Sequence, residues 1–318
     1  MSIWEEDIKE IERAFEAFNK IEDEKEILNT ALDHWVKVEN FSYDDGCELV
    51  GVDGSFLVRS LTFSTLYLAR AIAIAPSLGS FKASKSEVLD TINDDQVRQH
   101  AEAVMTSLEV EVASRALTEL MRRGKGFMLL FDGSLSSLIL HRVILHRSPI
   151  SHYSYYIASR ISKELSRVAD EGLVVFVAKR SSSSIYSEMR LPDMVLFSLM
   201  PKGYSKPRIV RFSDLYNISE TELDELPLSP KLKTMTLSYV RLSENGPLLK
   251  IEVPGALSES EVHDVIAKLS SVSPAGYPVP LLAAHKSAKL RRMTLRRALS
   301  LVGIRLRTGR EALREVFV

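Results

Sequence analysis

Cysteine is almost absent from this chain, since Cys47 is the only one among 318 residues. A single thiol excludes an internal disulfide and is typical of a protein in a reducing compartment. No apolar run reaches the ~18 residues that a membrane helix needs, because the best candidate, residues 61–78, contains Arg70 and several hydroxyls. The acidic start of the chain is unlike a secretory signal. We therefore expect a cytoplasmic protein that does not enter a membrane.

Net charge is also nearly absent, with 41 Lys plus Arg against 42 Asp plus Glu, yet the two ends differ. Residues 1–46 carry 14 acidic and 5 basic side chains, whereas residues 286–310 carry nine basic side chains and no acidic one. Such a run can be a solvated helix face. Like charges on adjacent turns repel, however, unless an anion lies across them. We expect the C-terminal segment to bind a polyanion.

The hydrophobic pattern predicts alternating strands and helices in the first part of the chain. It predicts strands at 47–53, twice within 56–75, at 127–132 and at 173–178, and helices at 94–123 and 151–169. Three strands, a helix, a strand, a helix and a strand is the order of an RNase H-like α/β domain. We therefore predict a mixed five-stranded sheet with helices.

Further segments elaborate this core. Residues 1–45 form an acidic helical segment, either two amphipathic helices or one broken near residues 22–24. Residues 46–180 are the predicted core, and 181–255 are an insertion with strand character at 194–199, 208–212 and 248–253. We predict that residues 256–318 form a helical part that contributes residues to the functional site. No stretch is rich enough in Pro or Gly to be a flexible linker, so we predict one elaborated domain.

A repeated tripeptide carries the chemistry. Asp53-Gly54-Ser55 and Asp132-Gly133-Ser134 each follow a short apolar run, which places a carboxylate where a buried strand ends. The glycine allows a sharp turn and leaves room for a ligand. Asp-Gly is also a common hairpin turn, which is the alternative reading. Carboxylate oxygens are the ligands that Mg²⁺ and Mn²⁺ prefer, so the pair predicts a metal-dependent site that cleaves phosphodiesters.

The helix between the two tripeptides offers a third carboxylate. At 100° per residue, Glu109 and Glu111 point to nearly opposite sides. Glu109 lies beside the apolar positions Met105 and Ala113, whereas Glu111 shares a face with Arg115. A carboxylate on an apolar face is costly unless a cation or a donor meets it. We choose Glu109 as the third metal ligand, with Glu111 as the alternative.

A histidine and a group of cations follow a rigid turn near the C-terminus. Tyr277 lies in a Tyr-Pro-Val-Pro turn that leads into a helix containing His285. The predicted DNA-binding cations are Lys286, Lys289, Arg292 and Arg296. On a continuous helix, all but the first share a stripe with His285, so they can hold phosphates while the imidazole ligates a metal or orients water. The alternative is a histidine that only fills the core or surface.

The ordered set of motifs resembles the NurA nucleases that work beside the HerA translocase. The resemblance implies a site of Asp53, Glu109 or Glu111, Asp132, Tyr277 and His285. It also implies dependence on Mn²⁺ or Mg²⁺, for which the carboxylates suggest two ions. The implied activities are a 5′ to 3′ exonuclease on single- and double-stranded DNA and an endonuclease on single strands. The implied assembly is a homodimer that acts with a HerA-like hexameric ATPase in DNA end resection and double-strand break repair.

Two other classes of protein fit parts of the pattern. An actin-like or sugar-kinase-like ATP-dependent phosphotransferase also places Asp-Gly turns on phosphates, but no second five-strand unit is evident after residue 181. A non-catalytic DNA-binding subunit would use the acidic and basic ends only for assembly. Metal-dependent DNA hydrolysis without ATP separates the nuclease from both.

Overall fold

The computed structural model of the chain describes residues 24–41, 46–60, 64–90, 94–124, 126–139, 152–187, 191–216 and 227–291, with a few isolated positions besides. Most of the predicted N-terminal helical segment lies outside these residues, as do Arg292 and Arg296. Within the described ranges, no helix has the length and apolar character needed to cross a membrane.

Ten strands in the described ranges form one mixed sheet. They are β1 (Trp35–Lys37), β2 (Glu48–Ser60), β3 (Thr65–Ala75), β4 (Gly79–Leu89), β5 (Phe127–Asp132), β6 (Leu173–Ala178), β7 (Gly203–Ser205), β8 (Arg208–Arg211), β9 (Thr234–Arg241) and β10 (Leu248–Pro254). The main helices are α1 (Glu24–His34), α2 (Asp94–Arg122), α3 (His152–Glu171), α4 (Asp193–Leu196), α5 (Phe212–Tyr216), α6 (Glu259–Ser271) and α7 (Val279–Ala288), with a 3-10 turn at Pro230–Lys233.

The strand order is β1-β7-β9-β10-β6-β5-β2-β3-β4, and β8 also pairs with β9. Strands β2, β3 and β4 are antiparallel neighbours, while β5 runs parallel to both β2 and β6. This arrangement confirms the predicted RNase H-like fold. Beyond β6, the antiparallel strands β10 and β9 continue the same sheet. The proposed boundaries at residues 45, 180 and 255 stay predictions.

Three local predictions are wrong. β2 does not turn at Gly54 but continues to Ser60, paired with β3 from Gly51 onward. The third strand of the core is β4, a segment for which no strand was predicted. Its exposed outer face carries Ser80, Lys82, Ser84 and Ser86 at alternate positions. Residues 194–199 contain α4 and a turn instead of a strand, since Pro192 starts a helix at Asp193.

Helices cover both faces of the sheet. On one face α2 and α3 pack against alternate residues of the central strands, such as Leu129 and Phe131. On the other face α6 and α7 pack against the intervening residues, such as Leu130 and Val177. The near-continuous apolar runs in β5 and β6 follow from this arrangement, because strands buried on both faces lose the polar alternation. The ends of the central strands are therefore held rigidly.

Helix α7 approaches β2 closely at Gly51. A β-carbon added at residue 51 would lie 2.2 Å from the carbonyl oxygen of Pro280, the second residue of α7. Contacts this short do not occur between real atoms, so a side chain here would push the helix away from the strand. Gly51 therefore sets the distance at which α7 carries His285 toward the sheet.

We predict that Gly51→Ala lowers the free energy of unfolding by about 2 kcal/mol, the usual cost of overpacking a core contact. Gly126→Ala is the matched control, because a β-carbon there would meet no atom within 4 Å. Urea denaturation of both variants measures the effect. Equal midpoints for the two variants would show that α7 does not depend on this contact.

Candidate metal centre

Two carboxylates lie side by side at the point where β5 ends and β2 continues. The parallel pairing of β2 with β5 ends at Val52 and Phe131, while β2 itself continues. Asp53 is the next residue of β2, and Asp132 is the last residue of β5. Together with His285 of α7, they form a group whose possible ligand atoms all lie within 4.8 Å of one another. The structure thus brings together three of the predicted ligands.

Hydrogen bonds fix the group. The His285 Nδ1 atom lies 2.8 Å from Oδ2 of Asp53 and 3.5 Å from Oδ2 of Asp132. The backbone N–H of Gly54 donates to Oδ1 of Asp53 at 2.8 Å. The two carboxylate side chains are only 10% and 13% exposed, whereas His285 is 47% exposed. The imidazole therefore lies at the mouth of the site and the carboxylates at its base.

Electrostatics favour a cation at this position. Burial and the neighbouring charge of Asp132 raise the pKa of Asp53 to about 6, although His285 and the Gly54 N–H partly oppose the increase. Two close carboxylates are stabilised when a divalent ion lies between them. Carboxylate oxygens with one imidazole are also a suitable donor set for Mn²⁺ or Mg²⁺. The residues present therefore fit such an ion.

Glu109 reaches β2 from the opposite face of the sheet. It is buried on α2, while Glu111 is only half-buried. A β-carbon at residue 54 would lie 2.7 Å from Oε1 of Glu109, so the glycine makes room for this carboxylate instead of forming a turn. The group of three ligand atoms described above does not include Glu109. Its role as a metal ligand stays a prediction.

Lys179 is a site residue that the sequence reasoning missed. Its Nζ atom lies 2.8 Å from Oδ2 of Asp132 and 4.5 Å from the ring centre of Tyr277. Lys179 follows the last residue of β6, and β6 is parallel to β5. The carboxyl ends of parallel strands meet at one edge of a sheet, so its position after an apolar run was the available signal.

Tyr277 lies beside the carboxylates Asp132 and Asp53, and its role in the site stays a prediction. Burial, followed by the negative charge of Asp132, raises the pKa of its hydroxyl well above the usual value. This hydroxyl lies within reach of the Asp132 carboxylate, without meeting strict hydrogen-bond geometry. It stays protonated at neutral pH and can donate to an oxygen that enters the site.

The predicted helical stripe of cations is interrupted. Helix α7 ends at Ala288, and Lys289 has an extended backbone with φ −55° and ψ 116°. Arg70 causes this end, because its guanidinium donates to the carbonyls of Ala288 and Lys289 at 2.6 and 2.5 Å. Ser55 binds the next N–H, that of Leu290, at 3.1 Å. The prediction that His285 and Lys289 share one helical face is therefore wrong.

The predicted cations divide into two groups. Lys286 and Lys289 are exposed at the end of α7. Arg292 and Arg296 lie outside the described residues. Exposure leaves the first two free to meet phosphates, and all four stay predictions as DNA contacts.

Comparisons with known proteins agree with this arrangement. A family model described as the NurA domain matches residues 47–290. The chain is 24% identical over 316 residues to the DNA double-strand break repair nuclease NurA of Saccharolobus solfataricus, which covers 89% of this chain and 88% of that protein.

Solved structures show the same fold. The crystal structure of the NurA nuclease from Sulfolobus solfataricus has a TM-score of 0.68 and 20% identity, and the match covers 95% of this chain and 97% of that one. A crystal structure of NurA bound to dAMP and manganese has a TM-score of 0.64 and 15% identity, with 98% and 100% covered. All the elements that form the candidate centre lie within the residues matched by the family model.

The raised pKa of Asp53 predicts how stability without metal depends on pH. Its pKa in the folded chain, about 6, exceeds its ordinary value of 3.8, so its contribution is present below pH 4 and is lost as the pH rises through 6. Asp53→Asn should match the wild type near pH 4 and exceed it at pH 7 by at most about 3 kcal/mol. Urea denaturation in EDTA measures this. A wild type as stable as Asp53→Asn at pH 7 would contradict it, and Asp170→Asn is an exposed control.

Proposed function

The chain belongs to the NurA family, and on that premise we propose that it is a metal-dependent DNA nuclease. The observation that supports the proposal is the group formed by Asp53, Asp132 and His285, with ligand atoms within 4.8 Å of one another. A relative named as a DNA double-strand break repair nuclease and a family structure with dAMP and manganese agree with it.

Asp53, Asp132 and His285 would hold Mn²⁺ or Mg²⁺. Such an ion activates water and stabilises the charge on the scissile phosphate and its leaving oxygen. We propose a second ion as well, with Glu109 as its ligand. The burial of Glu109 beside Gly54, the residue that follows Asp53, supports this.

The remaining side chains would bind and orient the DNA strand. Lys179 neutralises Asp132 at 2.8 Å, and its 44% exposure leaves the ammonium accessible to a phosphate oxygen. Tyr277 has a protonated hydroxyl beside the same carboxylate and can donate to the phosphate. His285, at the mouth of the site, would complete the ligand set or orient the attacking water. Lys286 and Lys289 would hold the backbone without reading sequence.

The finer assignment follows the family resemblance. We propose 5′ to 3′ exonuclease activity on single- and double-stranded DNA and endonuclease activity on single strands, in the cytoplasm, during end resection and break repair. We also propose a homodimer that acts with a HerA-like hexameric ATPase. Leu28 and Leu32 support an assembly surface, because they share a face of α1 and are 43% and 54% exposed. Light scattering on the purified chain tests the dimer.

The direct test is DNA hydrolysis. End-labelled single- and double-stranded DNA with Mn²⁺ and without ATP should be cut by the wild type and left intact in EDTA. Asp132→Asn should lose at least about 10³-fold in rate, since it removes a charge from the ligand set, yet should still bind DNA. Product sizes over time report the polarity. Cleavage by Asp132→Asn at the wild-type rate would contradict the proposal.

The two glutamates of α2 give an internal comparison. Glu109→Gln should abolish cleavage, because it removes a carboxylate beside Asp53, whereas Glu111→Gln should cleave like the wild type. Both substitutions keep the size of the side chain, and circular dichroism checks that each variant is folded. Initial rates with Mn²⁺ measure the difference. The reverse result would assign the ligand to Glu111 and leave the nuclease proposal in place.

Binding and chemistry should separate at the end of α7. Replacing Lys286 and Lys289 by alanine should weaken DNA binding for all sequences and reduce its salt dependence by a slope of about one per lost contact. His285→Ala should leave the salt slope unchanged and lower the cleavage rate by roughly 10²-fold. Fluorescence anisotropy at several salt concentrations measures binding, with Lys163→Ala on α3 as the control. A reduced salt slope in His285→Ala would place the histidine among the phosphate contacts.

A further inference from the structure

A buried ion pair lies on β10, beside the strands that end at the candidate centre. The Lys250 Nζ atom is 2.6 Å from Oε1 of Glu252, and the two side chains are only 2% and 1% exposed. Residues two apart on a strand share a face, and β10 pairs with β6 at this level. A buried pair gains little net stability, because desolvation offsets the attraction. Its contacts indicate a different use.

Glu252 holds the loop that follows β5. Its carboxylate accepts from the Ser134 hydroxyl at 2.9 Å and from the hydroxyl and backbone N–H of Ser136 at 2.9 and 3.2 Å. The Gly133 N–H donates to the carbonyl of Val177 on β6 at 3.0 Å. The residues directly after Asp132 are therefore fixed by four hydrogen bonds, three of them to one carboxylate.

Lys250 holds the loop that follows β6. Its ammonium donates to the Ser183 hydroxyl at 2.9 Å. Farther along the loop, the backbone N–H groups of Ile185 and Tyr186 donate to the fully buried carboxylate of Asp193 on α4 at 2.9 to 3.0 Å. This loop begins with Lys179, whose ammonium contacts Asp132. One ion pair thus connects the loop that follows Asp132 with the loop that begins at Lys179.

We propose that the Lys250–Glu252 pair is a positioning element for the metal centre. It fixes the loop after Asp132 and the loop after Lys179 relative to each other, and thereby sets the orientation of the Asp132 carboxylate toward Asp53. An apolar pair of similar volume would fill the same space but could not accept from Ser134 and Ser136. The inference rests on the proposed function only in taking the centre as a metal site.

The test measures Mn²⁺ binding without DNA, by calorimetry on the full chain. Glu252→Gln should weaken Mn²⁺ binding at least about tenfold, the usual effect of losing a group that orients a ligand. In a separate cleavage assay with DNA, the same variant should lower kcat more than it changes KM. Glu48→Gln is the matched control, because Glu48 is a buried carboxylate at the far end of β2 that accepts from the backbone and hydroxyl of Ser77. It should alter the melting temperature without altering Mn²⁺ affinity.

Two further variants separate positioning from stability. Lys250→Met with Glu252→Leu replaces the pair by apolar side chains, a change that often preserves stability, and should keep the melting temperature while Mn²⁺ binding stays weak. Ser134→Ala with Ser136→Ala leaves the pair in place and should weaken Mn²⁺ binding as well. Wild-type Mn²⁺ affinity in either double variant would overturn the proposal. If the wild type binds Mn²⁺ but does not cut DNA, the nuclease function is refuted. The Mn²⁺ affinities of the variants still test this inference in that case.

Discussion

Repulsion between two like charges, held together by the sheet, is the constraint on which the centre depends. The register between β2 and β5 places Asp53 and Asp132 side by side at the end of their pairing, and burial prevents either from turning fully into water. The cost is visible in the pKa of Asp53, which is raised first by burial and then by the charge of Asp132. A cation relieves it, and without metal the Lys179 ammonium supplies positive charge beside Asp132. The fold thus maintains an unfavourable arrangement that binding of a divalent ion makes favourable.

Two glycines of β2 allow helices to pack closely against both of its faces. Gly51 lets α7 approach on one side with His285, and Gly54 lets Glu109 of α2 approach on the other. The residues are three apart and therefore point to opposite faces of the strand. Neither needs an unusual backbone conformation, so each glycine serves close contact instead of a turn. Side chains from both faces of the sheet thereby come close to the same stretch of β2.

The sequence was sufficient for the order of the core elements and for the turn after Asp132. A run of five apolar residues, Phe127–Phe131, followed by Asp-Gly identified β5 and its end, where Gly133 has a positive φ of 148°. The same dipeptide at Asp53 was wrongly predicted to form a turn. Only the contact with Glu109 shows that Gly54 leaves space for a side chain instead. β4 was missed because an exposed edge strand lacks an apolar pattern.

The remaining errors come from contacts between residues distant in the chain. Helix α7 ends at Ala288 because Arg70, more than 200 residues earlier, binds its last carbonyls. Local helix propensity contains no sign of that partner. Lys179 and the Lys250–Glu252 pair were also beyond local patterns, since only the assembled sheet places them beside Asp132. Local preference therefore predicted the elements of the chain, and tertiary contacts decided how they form the site.

Anomalous diffraction at the manganese edge, from crystals of the full chain soaked in Mn²⁺, tests the metal centre most directly. We predict a peak within coordination distance of Asp53 and Asp132, about 2.0 to 2.3 Å from their oxygens, and its loss in crystals of Asp53→Asn. No peak between these two carboxylates at saturating Mn²⁺, or a peak only elsewhere on the chain, would contradict the metal centre and the nuclease function built on it.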